Sequence, residues 1–200
     1  MIENIELYAK NNNIPIMMPD GIDYLCNYIK ENNIKNILEI GTAIGYSAIR
    51  MALISNDITI TTIEKDETRY NIAIDNIKKF NLESRINVIL DDALNTNINN
   101  KYDLLFIDAS KGHNIDFFNK YKDNLNDKGV IITDNLSFHG LVEDESLAVT
   151  KNQKGLVKKI KKFIDFLDNN KEYTTTYINV GDKISISRKK VYNEKDISNT

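Results

Sequence analysis

Short apolar runs rich in β-branched residues recur along the chain, and stretches with helical periodicity separate them. Five such runs lie at 36–40, 58–63, 86–90, 103–107 and 130–133. This alternation predicts a parallel α/β sheet covered by helices. The stretches 66–80 and 114–125 place apolar residues on one helical face, so both are predicted to be covering helices. Asp66 and Asn114 are predicted to cap their first turns.

The pattern changes after residue 133. A long loop and helix over 141–167 precede two β-rich runs, 173–180 and 183–188, which only Gly181 and Asp182 separate. A two-residue Gly-Asp connection predicts an antiparallel hairpin. We therefore expect a mostly parallel sheet of seven strands that ends in an antiparallel hairpin. A plain dinucleotide-binding fold would continue with parallel strands instead.

Composition restricts the class of protein. With 200 residues, 42% hydrophobic and 28% charged, the chain has an ordinary globular balance and no apolar run that could span a membrane. No signal peptide is visible and Cys26 is alone, so we expect a soluble, cytoplasmic protein without a membrane partner. We expect one domain, with an N-terminal helical segment (1–33), a catalytic core (34–190) and a tail (191–200). The net charge of -3 argues against non-specific coating of nucleic acid but allows a local RNA site.

The strongest local signal is the segment 37–47, ILEIGTAIGYS, in which a buried strand ends in a glycine turn that opens a helix. Gly41 and Gly45 allow a ligand to approach the backbone, and ligands of open α/β sheets bind beyond the carboxyl ends of the strands. The spacing is neither the Gly-x-Gly-x-x-Gly dinucleotide pattern nor a lysine-bearing P-loop. A strand-to-helix turn without a ligand remains the alternative.

Acidic residues follow the next two strands. Glu64 ends the second strand, about 20 residues beyond the glycine turn, where a carboxylate can accept hydrogen bonds from both ribose hydroxyls of an adenosine group. Taken alone, Glu64 fits NAD equally well. Asp92 and Ala93 follow the third strand and are expected to flank an adenine ring, although an ordinary acidic loop is as good an interpretation.

Three oxygen-bearing side chains end the fourth and fifth strands, namely Asp108, Asp134 and Asn135. Hard oxygen ligands suit Mg²⁺, Mn²⁺ or Ca²⁺, and the combination favours a metal site over isolated loop or capping carboxylates. Lys111 can reach the same rim. A lysine desolvated near a metal can act as a base, whereas the alternative is a solvated lysine at a helix start.

The two histidines and the basic helix carry weaker signals. His113 and His139 form no metal motif and are expected in loops, with His139 placed to touch the substrate. An amphipathic helix puts lysines between apolar residues, and its basic face is either solvated or meets RNA phosphates. Its lysines are Lys158, Lys159, Lys161 and Lys162, between Leu156, Ile160, Phe163 and Leu167.

Segments 38–47, 106–111 and 134–135 together resemble the metal-dependent class I O-methyltransferases, the family of the catechol and caffeoyl-CoA enzymes. The resemblance implies a Rossmann-like fold, S-adenosylmethionine (SAM) as methyl donor, and Mg²⁺ or Mn²⁺. It implies that Asp108, Asp134 and Asn135 hold the metal, with Lys111 and Asp108 as catalytic residues. The implied cofactor contacts are Met17, Glu39, Gly41, Thr42, Gly45, Tyr46, Ser47, Glu64, Asp92, Ala93 and Asp108.

Within that family, segments 15–17, 134–142 and 180–182 are similar to the bacterial tRNA 5-hydroxyuridine methyltransferases, which form 5-methoxyuridine at the wobble position. This similarity implies the tRNA anticodon loop as substrate and a homodimer. Asp91 departs from the pattern, because the family often has glycine there. A small-molecule O-methyltransferase acting on catechol-like phenols is the main alternative. A non-catalytic SAM-binding or RNA-binding module is the second, and the glycine pattern and terminal hairpin disfavour a third, an NAD oxidoreductase.

Overall fold

The computed structural model describes residues 1–109 and 112–191, so most of the predicted tail lies outside the described residues. Within these ranges six α-helices surround seven strands, with short 3-10 turns at Lys122–Asn124 and Glu145–Leu147. The helices are α1 (Ile2–Asn11), α2 (Pro19–Glu31), α3 (Tyr46–Ala52), α4 (Glu67–Lys79), α5 (Asn114–Tyr121) and α6 (Lys151–Asp168). The strands are β1 (Asn36–Ile40), β2 (Thr59–Glu64), β3 (Ile86–Leu90), β4 (Tyr102–Ile107), β5 (Leu125–Thr133), β6 (Tyr173–Ile178) and β7 (Ile184–Lys189).

The strands form one sheet in the order β3-β2-β1-β4-β5-β7-β6. The first five are parallel, and β7 runs antiparallel to both β5 and β6. This arrangement confirms the predicted Rossmann-like methyltransferase fold. The chain leaves β1 toward β3 and then returns to β4 on the other side of β1. The carboxyl ends of β1 and β4 therefore form the switch point at which such sheets bind ligands.

Both faces of the sheet are buried, as parallel strands require. Alternate residues of β1 point to opposite sides, so that Ile37 joins the core under α1, α2 and α3, while Leu38 joins the core under α5 and α6. No helix in the described part of the chain is long and apolar enough to span a bilayer.

The predicted cap at Asp66 is confirmed, whereas Asn114 begins its helix as predicted but does not cap it. The Asp66 carboxylate accepts a hydrogen bond from the Arg69 backbone N–H at 2.9 Å, as an N-cap does. Helix α5 has His113 in the capping position without a side-chain cap, and Asn114 is its first helical residue, 4% exposed. Asn114 is thus buried as a helical residue, and its side chain does not cap the helix.

The antiparallel pairing of the last two strands is confirmed, but their two-residue connection is wrong. Strand β6 ends at Ile178 and β7 begins at Ile184, so residues 179–183 form a wider turn. Gly181 and Lys183 both have positive φ angles, of 55° and 66°. The Gly181 N–H donates to the Asp20 carboxylate at 3.0 Å. Contacts with distant segments therefore hold this turn open.

Candidate cofactor and metal site

A cavity of about 440 Å³ opens at the carboxyl ends of the central strands, a size typical of small-molecule sites. Most of the predicted cofactor residues line it: Met17, Gly41, Thr42, Tyr46, Ser47, Glu64, Asp92, Ala93 and Asp108. Asn135 also lines it, which brings part of the predicted metal set to the cofactor cavity. Glu39 and Gly45 are not in its wall.

The glycine turn is shaped by a close backbone approach. Gly41 has a φ of 103°, and a Cβ atom added to it would lie 2.3 Å from the backbone oxygen of Asp108. Its N–H and that of Thr42 both donate to the Ile63 carbonyl, at 3.1 and 3.2 Å. Only glycine fits this position, because a side chain would force the ends of β1 and β4 apart. Gly41 is therefore in direct main-chain contact with Asp108, the first of the predicted metal residues.

Glu39 lies beneath the turn and not in the cavity. Its carboxylate is fully buried and accepts hydrogen bonds from the Ser47 and Thr62 hydroxyls, each at 2.5 Å. Burial raises the pKa of Glu39 to about 7, although these two hydrogen bonds oppose the shift. The Thr62 hydroxyl also lies 2.7 Å from that of Thr42. In the structure, Glu39 therefore supports the cofactor turn from below.

Glu64 has its carboxylate fixed by the backbone. It is 7% exposed and accepts hydrogen bonds from the N–H groups of Ala43 at 2.8 Å, Lys65 at 3.0 Å and Asp66 at 2.9 Å. A carboxylate offers about four acceptor positions, so three are occupied and one is left for a ribose hydroxyl. The geometry therefore leaves Glu64 able to accept a hydrogen bond from one ribose hydroxyl, whereas the sequence predicted bonds from both.

The loop after β3 forms another wall of the cavity. Asp91 accepts hydrogen bonds from the Asp92 N–H and the Thr96 hydroxyl, both at 2.8 Å. Its φ is not positive, which explains why the loop tolerates a residue other than glycine there. The buried Tyr121 hydroxyl donates to the Ala93 carbonyl at 2.6 Å. Side chains from within the loop and from α5 thus hold Asp92 and Ala93 in place.

The N-terminal part of the chain supplies one wall of the cavity. Met17 is buried at its wall, in the segment that joins α1 and α2. The Tyr46 hydroxyl donates to Glu6 of α1 at 2.7 Å and accepts from the Arg50 guanidinium at 3.1 Å. Arg50 in turn pairs with Asp23 of α2. This network ties both helices to α3, which begins directly after the glycine turn.

The predicted metal residues converge. The Asn135 side-chain N–H group donates to the Asp108 carboxylate at 2.7 Å and to the Asp134 carboxylate at 3.3 Å. Among the described residues no three His, Cys, Asp or Glu side chains cluster as metal ligands, so the available set is two carboxylates and one amide. A half-turn of the amide would replace its nitrogen by its oxygen and complete three hard oxygen donors. This donor set fits Mg²⁺.

The β6–β7 turn holds the loop 134–140, which carries the predicted metal residues Asp134 and Asn135. The N–H groups of Leu136 and Ser137 donate to the carbonyls of Lys183 and Asp182 at 3.0 and 2.9 Å. The Asp182 side chain accepts the backbone N–H of His139 at 2.6 Å. From the sequence, Gly181 and Asp182 were predicted as a hairpin connection and as part of a family motif, but not as a support for this loop. The signal was not local, because the partners are distant in sequence.

The remaining predicted residues have different outcomes. Lys111 lies outside the described residues, so its catalytic role stays a prediction. His113, expected to be an ordinary loop residue, lines the cofactor cavity, and its ring nitrogen lies 3.0 Å from the Asp116 carboxylate. Its position just after the β4 rim was the available signal. The His139 side chain, in the loop after β5, is 69% exposed. The lysines on the basic face of α6 are exposed, as predicted.

Comparisons with known proteins agree with this fold. The O-methyltransferase family model matches residues 2–190. A crystal structure from Staphylococcus aureus, described as a candidate caffeoyl-CoA O-methyltransferase, is 40% identical, with a TM-score of 0.90 over 94% of this chain and 92% of that chain. A Bacillus cereus O-methyltransferase in complex with SAH is 26% identical, with a TM-score of 0.80 over 94% and 90%. The Medicago sativa caffeoyl-CoA O-methyltransferase is 29% identical over 94% of this chain and 81% of its own.

The sheet order, the antiparallel last strands and a cavity at the switch point define a class I methyltransferase. The chain belongs to the O-methyltransferase family. It is a SAM-dependent O-methyltransferase of the caffeoyl-CoA-like group. The family resemblance predicted from the cofactor turn and the metal segments is thereby confirmed, and the oxidoreductase alternative is set aside.

Proposed function

We propose that this enzyme is a Mg²⁺-dependent methyltransferase that converts 5-hydroxyuridine at the tRNA wobble position to 5-methoxyuridine. The observation that carries the proposal is the convergence of Asp108, Asp134 and Asn135, of which Asp108 and Asn135 line the cofactor cavity. Such a donor set suits an acceptor with two adjacent oxygens that bind one cation. The 5-hydroxyl and O4 of 5-hydroxyuridine form such a pair.

The residues of the chain divide the work of the reaction. The cofactor turn and Glu64 orient the donor, while the N-terminal cover at Met17 excludes water from the cavity. When bound, SAM supplies the electrophilic methyl group and Mg²⁺ supplies positive charge that favours the acceptor oxyanion. Lys111 is the proposed base for the hydroxyl proton. Asp108 belongs to both the cavity wall and the metal set, so it aligns acceptor and donor, and most of the rate comes from this positioning.

The exposed Lys151 and Lys159 of α6, beside the cavity, support RNA as the acceptor, because tRNA is a polyanion. The second candidate is a small catechol-like or caffeoyl-CoA-like phenol, which the names of the relatives favour. It would use the same cofactor and metal residues.

We also propose that the protein is a homodimer, as the family resemblance implies. Light scattering after size-exclusion chromatography tests this.

The decisive experiment is methyl transfer from labelled SAM to tRNA carrying 5-hydroxyuridine at the wobble position, with Mg²⁺ or with EDTA, beside a catechol acceptor. Label in the tRNA alone, lost with EDTA, is the expected result. Label in the catechol alone would replace the substrate with a small phenol. Asp108→Ala should abolish methyl transfer. Asp127→Ala should not, because Asp127 is an exposed carboxylate near the amino end of β5, away from the cavity at the carboxyl ends of the strands. Full activity of Asp108→Ala would overturn the metal role.

A further inference from the structure

A shallow groove on α6 adjoins the cofactor cavity. Lys151, Asn152, Gly155, Leu156 and Lys159 line it. Leu156 also belongs to the wall of the cofactor cavity, so the two depressions share a border. A molecule that reaches the metal residues across this border would pass along the groove.

The groove exists because of the residues at four-residue spacing on one face of the helix. Positions 151, 155 and 159 lie one above another on an α-helix. A Cβ atom added to Gly155 would meet nothing within 4 Å, so the floor between the two lysines is open. Glycine there removes the side chain that would otherwise fill the space between two ammonium groups.

The charge of the groove is not neutralised by neighbouring acids. Across residues 1–109 and 112–191, neither Lys151 nor Lys159 forms an ion pair, whereas Lys161 on another side of α6 pairs with Glu145 at 2.5 Å. The Lys159 ammonium lies against the loop that precedes α5, since a Cβ atom on Gly112 would come within 2.9 Å of its Nζ atom. Positive charge is therefore concentrated at the rim of the active site.

We propose that this groove binds a phosphate group of the methyl acceptor, with Lys151, Lys159 and the Asn152 amide donating hydrogen bonds to its oxygens. The inference rests on the proposed function, because it assumes that the acceptor reaches the metal residues over Leu156. Lysine ammonium groups bind phosphate as mobile point charges, with an attraction that salt weakens. The phosphate belongs either to an RNA backbone or to a phosphorylated small acceptor such as a CoA ester. A free catechol has no group for this site.

The test compares two double variants that remove the same charge from the same helix. Lys151→Gln with Lys159→Gln empties the groove, and Lys158→Gln with Lys162→Gln leaves it intact. Binding of a fluorescent anticodon stem-loop containing 5-hydroxyuridine, and separately of caffeoyl-CoA, is measured without turnover across a range of salt concentrations. We expect the groove variant to weaken binding about tenfold and to lower the salt slope by about 0.7 per lost phosphate contact of single-stranded RNA. The control should change affinity by less than about twofold, as expected when salt screens charges outside the groove.

The outcomes separate the inference from the proposed function. Weakened binding of the stem-loop alone assigns the phosphate to RNA, and weakened binding of caffeoyl-CoA alone assigns it to a small acceptor; both support the groove. Equal effects of the two double variants, or no binding of either ligand to the unsubstituted protein, would overturn it. The EDTA experiment on turnover tests the metal-dependent function independently.

Discussion

The buried Asp182 carboxylate accepts a hydrogen bond from the backbone N–H of His139 at 2.6 Å, across 43 positions of sequence. Asp182 is 3% exposed and lies in the β6–β7 turn, far from the cofactor residues in the chain. His139 follows Asn135 by four positions in the loop that carries the predicted metal residues. The placement of a proposed metal ligand thus depends on a side chain that is not itself in the donor set.

Replacement of Asp182 by alanine should weaken the response to Mg²⁺. The variant leaves the partly buried His139 N–H without its charged acceptor, a loss of roughly 1–3 kcal/mol that loosens the loop carrying Asn135. We expect the Mg²⁺ concentration for half-maximal methyl transfer to rise about tenfold, equivalent to about 1.4 kcal/mol, while the KM for SAM changes little. His139→Asn is the control, because it keeps the backbone N–H and tolerates the positive φ of 57°. An unchanged Mg²⁺ response in Asp182→Ala would contradict the positioning role.

Asn135→Asp should make the stability of the protein depend on divalent metal. The substitution replaces the N–H bonds to Asp108 and Asp134 with repulsion among three carboxylates. Without metal the melting temperature should fall by several degrees, about 2–4 °C per kcal/mol for a chain of this size. Mg²⁺ should then raise it by more than in the unsubstituted protein. A metal response no larger than that of the unsubstituted protein would show that these side chains do not share a cation.

Glu39→Gln should flatten the dependence of stability on pH. The pKa of Glu39 is raised from 4.5 to about 7 in the folded protein, chiefly by burial. Its protonated form therefore favours folding below about pH 4.5, and this contribution is lost as the pH rises to about 7. Above that pH, glutamine at position 39 should stabilise the protein by up to about 3 kcal/mol.

Denaturant unfolding of the ligand-free protein at a series of pH values measures this effect. The exposed Glu83→Gln is the matched control and should leave the pH profile unchanged. Parallel pH profiles for Glu39→Gln and the unsubstituted protein would mean that folding does not shift the pKa of Glu39.

The Gly41 turn should not accept any side chain. Gly41→Ala adds a Cβ atom 2.3 Å from the Asp108 carbonyl in a backbone with a φ of 103°, so the free energy of unfolding should fall by more than about 2 kcal/mol. SAM binding, measured by calorimetry, should be lost with it. Gly155→Ala is the opposite case. Its Cβ atom meets nothing within 4 Å in the middle of α6, so alanine should stabilise the helix by about 0.5–1 kcal/mol. Equal effects of the two substitutions would contradict the steric argument.

The features that sequence predicted well are those set by local periodicity. Strands β1 and β3 have the predicted bounds, and Asp66 caps α4, because alternation, helical spacing and capping depend on neighbours in the chain. The wider turn after β6 and the burial of Asn114 depend on tertiary contacts, which no local pattern encodes. The same reason explains Glu39, whose place beneath the turn follows from hydroxyl partners on α3 and β2.

The contact between Gly41 and the Asp108 carbonyl lies where the methyl-donor side of the site meets the proposed acceptor side. Donor and acceptor halves meet through main-chain atoms of β1 and β4, two adjacent parallel strands in the middle of the sheet. The path that a methyl group must cross is therefore set by the rigid centre of the sheet. Under the proposed function, acceptor choice is left to the peripheral loop after β5 and to α6. An engineer who exchanged those peripheral segments for others would alter which molecule is methylated while leaving the transfer distance untouched.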